Sequence, residues 1–117
     1  MERADEVLQG LAEQAATAIQ EVKKMYLDGE DHVKVSGAAE IVAYVVYGAL
    51  FDLRRFTLDK ARKEAFGDLK RKMHRYTAGS VNTINLTDFL RDAQLIDKKM
   101  REMVNLTNIK ETENAVD

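Results

Sequence analysis

Ala38-Ala39-Glu40-Ile41-Val42-Ala43-Tyr44-Val45-Val46-Tyr47-Gly48-Ala49-Leu50-Phe51-Asp52-Leu53 is the stretch that decides the fold of this chain. Only Glu40, Gly48 and Asp52 interrupt its apolar run. Wound as a helix, such a run covers nearly every face with hydrocarbon and needs neighbours all round. Ile41, Val42, Val45 and Val46 are β-branched and would also suit a strand, but the length and the alanine content favour a helix. The expected helix runs from about Gly37 to Arg55, with Ser36 as its N-cap. The apolar core of the run is shorter than the roughly 20 residues that cross a bilayer, so it reads as the central helix of a domain with no membrane span.

The segments on either side have helical periodicity too. From about Ala4 to Leu27, Leu8, Leu11, Ala15, Ala18, Val22 and Met25 recur in steps of three and four, and Val7, Ile19 and Tyr26 widen that stripe. Asp28-Gly29-Glu30-Asp31-His32 breaks the pattern, and Val33-Lys34-Val35 then alternates like a short extended strand. After the central run, Thr57 is placed to cap a third helix over about Leu58–Ala78, with Leu58, Ala61, Ala65, Leu69, Met73 and Tyr76 as its stripe. Gly79-Ser80-Val81-Asn82 breaks it, Thr83-Ile84-Asn85-Leu86 is a second extended stretch, and Asn85 with Asp88, which resembles a capping box, or Thr87 with Arg91 starts a fourth helix. Phe89, Leu90, Ala93, Leu95, Ile96, Met100, Met103 and Val104 are its apolar positions.

The expected fold is therefore all-α, four main helices arranged as two helix-loop-helix units. The two extended triplets, one in each loop, are placed to make a short β pairing. Residues 1–104 form a single helical domain, and 105–117 a polar C-terminal tail expected to fray. The absence of proline from all 117 residues agrees with helices joined by short connections.

The composition removes several kinds of chemistry. There is no cysteine, hence no disulfide, thiolate metal site or cysteine nucleophile. Ser36 and Ser80 are the only serines and neither lies in a nucleophile elbow. The six glycines are scattered and form no phosphate-binding loop. His32 and His74 are far apart in the chain, and Asp28, Glu30, Asp31 and His32 read as a solvated loop. The N-terminus has no apolar stretch after a basic start, so an intracellular, cytoplasmic location is expected. The chain is read as a non-enzyme with no cofactor and no metal.

The second helix-loop-helix unit resembles an EF-hand of the calmodulin superfamily. Leu69, Met73 and Tyr76 lead into a loop beginning at Thr77; Ile84 stands at loop position eight, Asp88 at position twelve, and Phe89 follows. In that family side-chain oxygens at positions one, three and five and a carboxylate at twelve hold Ca²⁺. Here these positions are Thr77, Gly79, Val81 and Asp88, so the resemblance implies the loop shape without calcium. Placing Val35 at position eight of the first unit puts Ala39 at twelve, again without the closing carboxylate.

Net charge is −2, yet the charge is polarised. Between Arg54 and Arg75 nine Lys or Arg face three acids, while Met1–Asp31 holds eight acids and three bases. Lys60, Lys63, Lys70, Arg71, Lys72 and His74 form the candidate basic patch. The function expected is protein–protein interaction, as a module, adaptor or small subunit. Its partner is another protein or further copies of the same chain, and Tyr44, Tyr47 and Phe51 are the candidate anchors. Two alternatives are a nucleic-acid-binding domain using the basic segment 54–75 and a self-assembling structural subunit.

Overall fold

A computed structural model of the chain describes residues 2–77 and 84–104. Four helices account for nearly all of it: α1 Glu2–Leu27, α2 His32–Phe56, α3 Lys60–His74 and α4 Leu86–Val104. No strand occurs among the described residues. The all-α class and the four-helix count thus agree with the sequence, while the proposed tail falls outside the described residues.

Each helix end has a local cause. After α1 the chain reverses at Gly29, whose φ of +74° is open to glycine at little cost. The Glu30 amide donates to the Met25 carbonyl at 3.2 Å and the Gly29 amide to that of Tyr26 at 3.2 Å, the Schellman arrangement that closes a helix. Asp31, not Ser36, caps α2, its carboxylate accepting from the Lys34 amide at 3.2 Å. Val33-Lys34-Val35 is therefore the first turn of α2 and not an extended triplet, so it has no β pairing to offer. Once a carboxylate satisfies the free amides of the first turn, three alternating residues cannot hold an isolated strand against helix formation.

Thr57 ends α2 instead of starting α3. Its hydroxyl donates to the Leu53 carbonyl at 2.5 Å and its amide to the same oxygen at 3.1 Å. Asp59 caps α3 through the Arg62 amide at 3.0 Å. α3 ends at His74, short of the expected Ala78, in two successive turns closed by the Tyr76 and Thr77 amides. Of the two starts the sequence offers for α4, Asn85 is the cap, its side-chain oxygen accepting from the Asp88 amide at 3.1 Å.

α2 lies between α1 and α3, and α4 packs on α1 and reaches α3 but barely touches α2. α1 and α2 are both rich in buried alanine: Ala12, Ala15 and Ala16 on α1, and Ala39, Ala43 and Ala49 on α2. Small side chains let two backbones approach closely, and larger ones (Ile19, Val22, Val35, Val46, Leu50 and Leu53) fill the space beside them. Phe66 and Phe89 are the largest fully buried side chains, each contributing roughly 1.5–3 kcal/mol by burial. Phe66 was absent from the stripe expected for α3, and Leu58, which headed that stripe, is 97% exposed just before the helix begins.

α2 is 25 residues long, because it starts earlier and ends later than its apolar centre suggests. Among the described residues it is the helix long and apolar enough to cross a membrane by length and composition, with mean hydropathy 1.4. In this fold 39% of that apolar window is buried against the chain's own helices.

Candidate interaction surface on the second helix

The sequence suggests a helix with more apolar surface than its companions can cover, with Tyr44, Tyr47 and Phe51 in the surplus, and the structure covers α2 only in part. Val35, Ala39, Val42, Ala43, Val46, Ala49, Leu50 and Leu53 are buried. Val33, Ile41, Tyr44 and Phe51 are exposed by 76, 67, 53 and 47%. α1 and α3 cover most of α2 and leave one side free, and the exposed residues fall on that side in steps of eight, three and seven. Gly37 and Gly48 share it, and a Cβ added at either would meet nothing within 4 Å.

One border of this face is the seam with α3. The Tyr44 hydroxyl donates to the Thr77 carbonyl at 2.9 Å. Tyr47 meets the His74 ring with centroids 5.6 Å apart. Lys70 Nζ sits 5.9 Å from the Tyr47 ring and 5.5 Å from that of Phe51. A Cβ on Gly67 would come 3.3 Å from Arg54 Nε. Residues 47, 51 and 54 of α2 thus meet 74, 70 and 67 of α3 in turn, and 44 meets Thr77 just beyond α3, an antiparallel register that advances in alternating steps of three and four. The two sets of site residues read from sequence, aromatic anchors and basic patch, meet along this seam. Tyr47 is half-buried in it and serves mainly to hold α3; Tyr44 and Phe51 remain on the open side.

The rest of the basic patch divides. Lys60, Lys63 and Arg71 line a recess of about 410 Å³ with Arg54, Glu64 and Asp68. Lys72 lines another of about 410 Å³ with Arg71, Arg75, Arg91 and Asp92. Acids stand inside both: Arg71 is ion-paired with Asp68 across one helical turn in the first, and Asp92 lies 3.7 Å from Arg91 in the second. The cations therefore face several directions instead of forming one phosphate track.

The second recess borders a polar fastening that the sequence did not reveal. Tyr76, at the end of α3, donates to the buried Asp92 carboxylate of α4 at 2.5 Å, and its ring meets Phe89 edge-on at 5.3 Å. Arg75 and Arg91 approach the same carboxylate at 3.8 and 3.7 Å. Burial, then the hydrogen bond to Asp92, pushes the Tyr76 hydroxyl up to about 12, so it keeps its proton throughout the physiological range. The Arg75 guanidinium is likewise held more firmly protonated, first by its contact with Tyr76. Tyr76 and Asp92 lie 16 residues apart, a spacing that carries no sequence signal.

Among the described residues no three His, Asp or Glu gather as a metal site. In the first loop Asp31 is taken up as a helix cap and Glu30 pairs with Lys34 at 3.1 Å. Sequence reasoning missed Val33 and Ile41, the most exposed apolar residues of α2. Stepping back from Phe51 and Tyr44 in helical increments reaches both, together with the two glycines. Comparison with protein-family models, curated proteins and solved structures gives no match for the chain.

Proposed function

We propose that this chain is a non-catalytic protein–protein interaction module or small subunit that docks a partner on the outer face of α2. The observation that carries the reading is the open row Val33, Ile41, Tyr44 and Phe51 on a helix whose opposite face is fully packed. Leaving such a row in water forgoes roughly 25 cal/mol for each Å² that a partner would cover. Aromatic side chains at the centre of an apolar patch, with charges at its border, are the usual makeup of an interface. A helix laid along this face would find Ile41 and Phe51 as knobs and Gly37 and Gly48 as hollows.

The second unit acts in this proposal as an EF-hand-like hairpin that needs no Ca²⁺. Asp88, at the position that would close a calcium site, already pairs with Arg91. Calorimetric titration with Ca²⁺ is expected to give no heat, and a micromolar site would refute this part.

Immobilised protein should capture a binding partner from its native source. Ile41→Glu and Phe51→Glu should abolish capture while leaving the far-ultraviolet circular dichroism unchanged, and Glu13→Lys on α1 should leave capture intact. Equal capture by all variants would refute the reading. The alternative, nucleic-acid binding through segment 54–75, draws on the cations of the two recesses. It predicts retention on heparin that falls steeply with salt and is lost on charge reversal at Lys70, Arg71 and Lys72.

A further inference from the structure

The outer face of α2 is complementary to itself when reversed. We propose that it forms the interface of a homodimer in which α2 of one copy packs antiparallel on α2 of a second. The proposal rests on the docking reading above and names the partner. With the twofold axis passing beside Tyr44, Ile41 of each copy falls opposite Gly48 of the other, and Phe51 falls opposite Gly37. Each bulky exposed side chain then enters a notch that its own chain leaves open, since nothing lies within 4 Å of a Cβ at either glycine. The row from Val33 to Arg55 is roughly 33 Å long, so the notches engage along the whole helix and not at one point.

The charges at the border fit the same register. In an antiparallel pair the twofold axis sets each edge of the helix against the same edge of its mate. On the α3 side, Glu40 comes level with Lys70 of the second copy, the ammonium that the fold already holds over Tyr47 and Phe51. On the opposite edge Lys34 comes within side-chain reach of Asp52. At the ends Arg55 approaches Asp31. Among the described residues neither Glu40 nor Asp52 has an ion pair in its own chain. A parallel pairing would instead set Arg55 beside Arg55 and bring neither Ile41 nor Phe51 level with a glycine of the other copy, with helix dipoles aligned in repulsion. Charge and shape thus select one orientation, and the contact is isologous, so it closes at two copies.

The absence of cysteine makes the register directly readable. Sedimentation equilibrium over a range of concentrations should show a monomer–dimer equilibrium. Under mild oxidation Tyr44→Cys should form a disulfide dimer, and an equimolar mixture of Ile41→Cys and Gly48→Cys should give the mixed dimer in preference to either homodimer. Glu40→Lys and Lys70→Glu should each weaken dimerisation roughly three- to tenfold, and the double variant should restore it. A protein that stays monomeric at every concentration, yet captures a different protein in an Ile41-dependent way, overturns the homodimer and leaves the docking reading standing. Monomer without any such capture overturns both. A monomer that binds phosphatidylcholine vesicles through Ile41 and Phe51 also overturns the homodimer, since the occupant would then be lipid. Crosslinking of Ile41→Cys to itself in preference to Gly48→Cys would refute the antiparallel register.

Discussion

The two long faces of α2 are built from the same residue types and meet opposite fates. On the inner face Val35, Val42, Val46, Leu50 and Leu53 are buried against α1 and α3. On the outer face Val33, Ile41, Tyr44 and Phe51 stand in water. Hydrophobicity does not separate them. What separates them is the small residue between: buried alanine (Ala39, Ala43, Ala49) on the inside and glycine (Gly37, Gly48) on the outside. Alanine packs closely without the conformational cost of glycine, which inside a helix destabilises by roughly 1 kcal/mol. A helix that keeps two glycines on one exposed apolar face bears that cost where its own chain gains nothing from it.

The comparison can be broken first by a matched pair of leucines. Leu50→Ala, at a fully buried site, should destabilise the fold by about 2–5 kcal/mol in chemical denaturation. Leu58→Ala, at a site 97% exposed, should change stability by less than about 0.5 kcal/mol. Comparable losses at the two sites would mean that the packing described for α2 is wrong.

A matched pair of tyrosines sharpens it. Tyr76→Phe removes a hydrogen bond to a buried carboxylate and should cost about 1–3 kcal/mol, whereas Tyr44→Phe, exposed and bonded to a carbonyl, should cost about 1 kcal/mol or less. The pair also differs in alkali. Folding raises the Tyr76 hydroxyl from 10.0 to about 12, so its contribution is fully present below pH 10 and is lost as pH rises toward 12. Stability of the wild type should fall across that interval, and Tyr76→Phe should flatten the fall. An unchanged alkaline profile would mean that Tyr76 is not held by Asp92.

The smallest effect on stability belongs to the outer face itself. Ile41→Ser should alter the unfolding free energy by no more than about 0.5 kcal/mol, because 67% of the residue is already in solvent. A large loss would place Ile41 in the monomer core.

Much of this architecture was legible in the sequence, for identifiable reasons. The helical repeats of α1, α2 and α4 are long, so periodicity located them despite errors at their ends. The ends failed where two residues competed for one role. Asp31 displaced Ser36 as the cap of α2, and Thr57, a plausible start for α3, was used to finish α2. The extended reading of Val33–Val35 rested on only three residues and gave way to the first turn of a helix. The candidate site was half legible. Tyr44 and Phe51 were found as large apolar residues on a crowded helix, but which side of α2 stays open depends on where α1 and α3 settle. That is a matter of long-range packing, as is the meeting of Lys70 with Tyr47 and Phe51. The Tyr76–Asp92 bond was illegible for the same reason.

The central claim is that the outer face of α2 is covered in solution, and hydroxyl-radical footprinting at low and high protein concentration tests it most directly. The account predicts that Ile41, Tyr44 and Phe51 lose reactivity together as concentration rises, while Leu58 remains fully reactive. Reactivity at those three residues that stays constant across the range would contradict it.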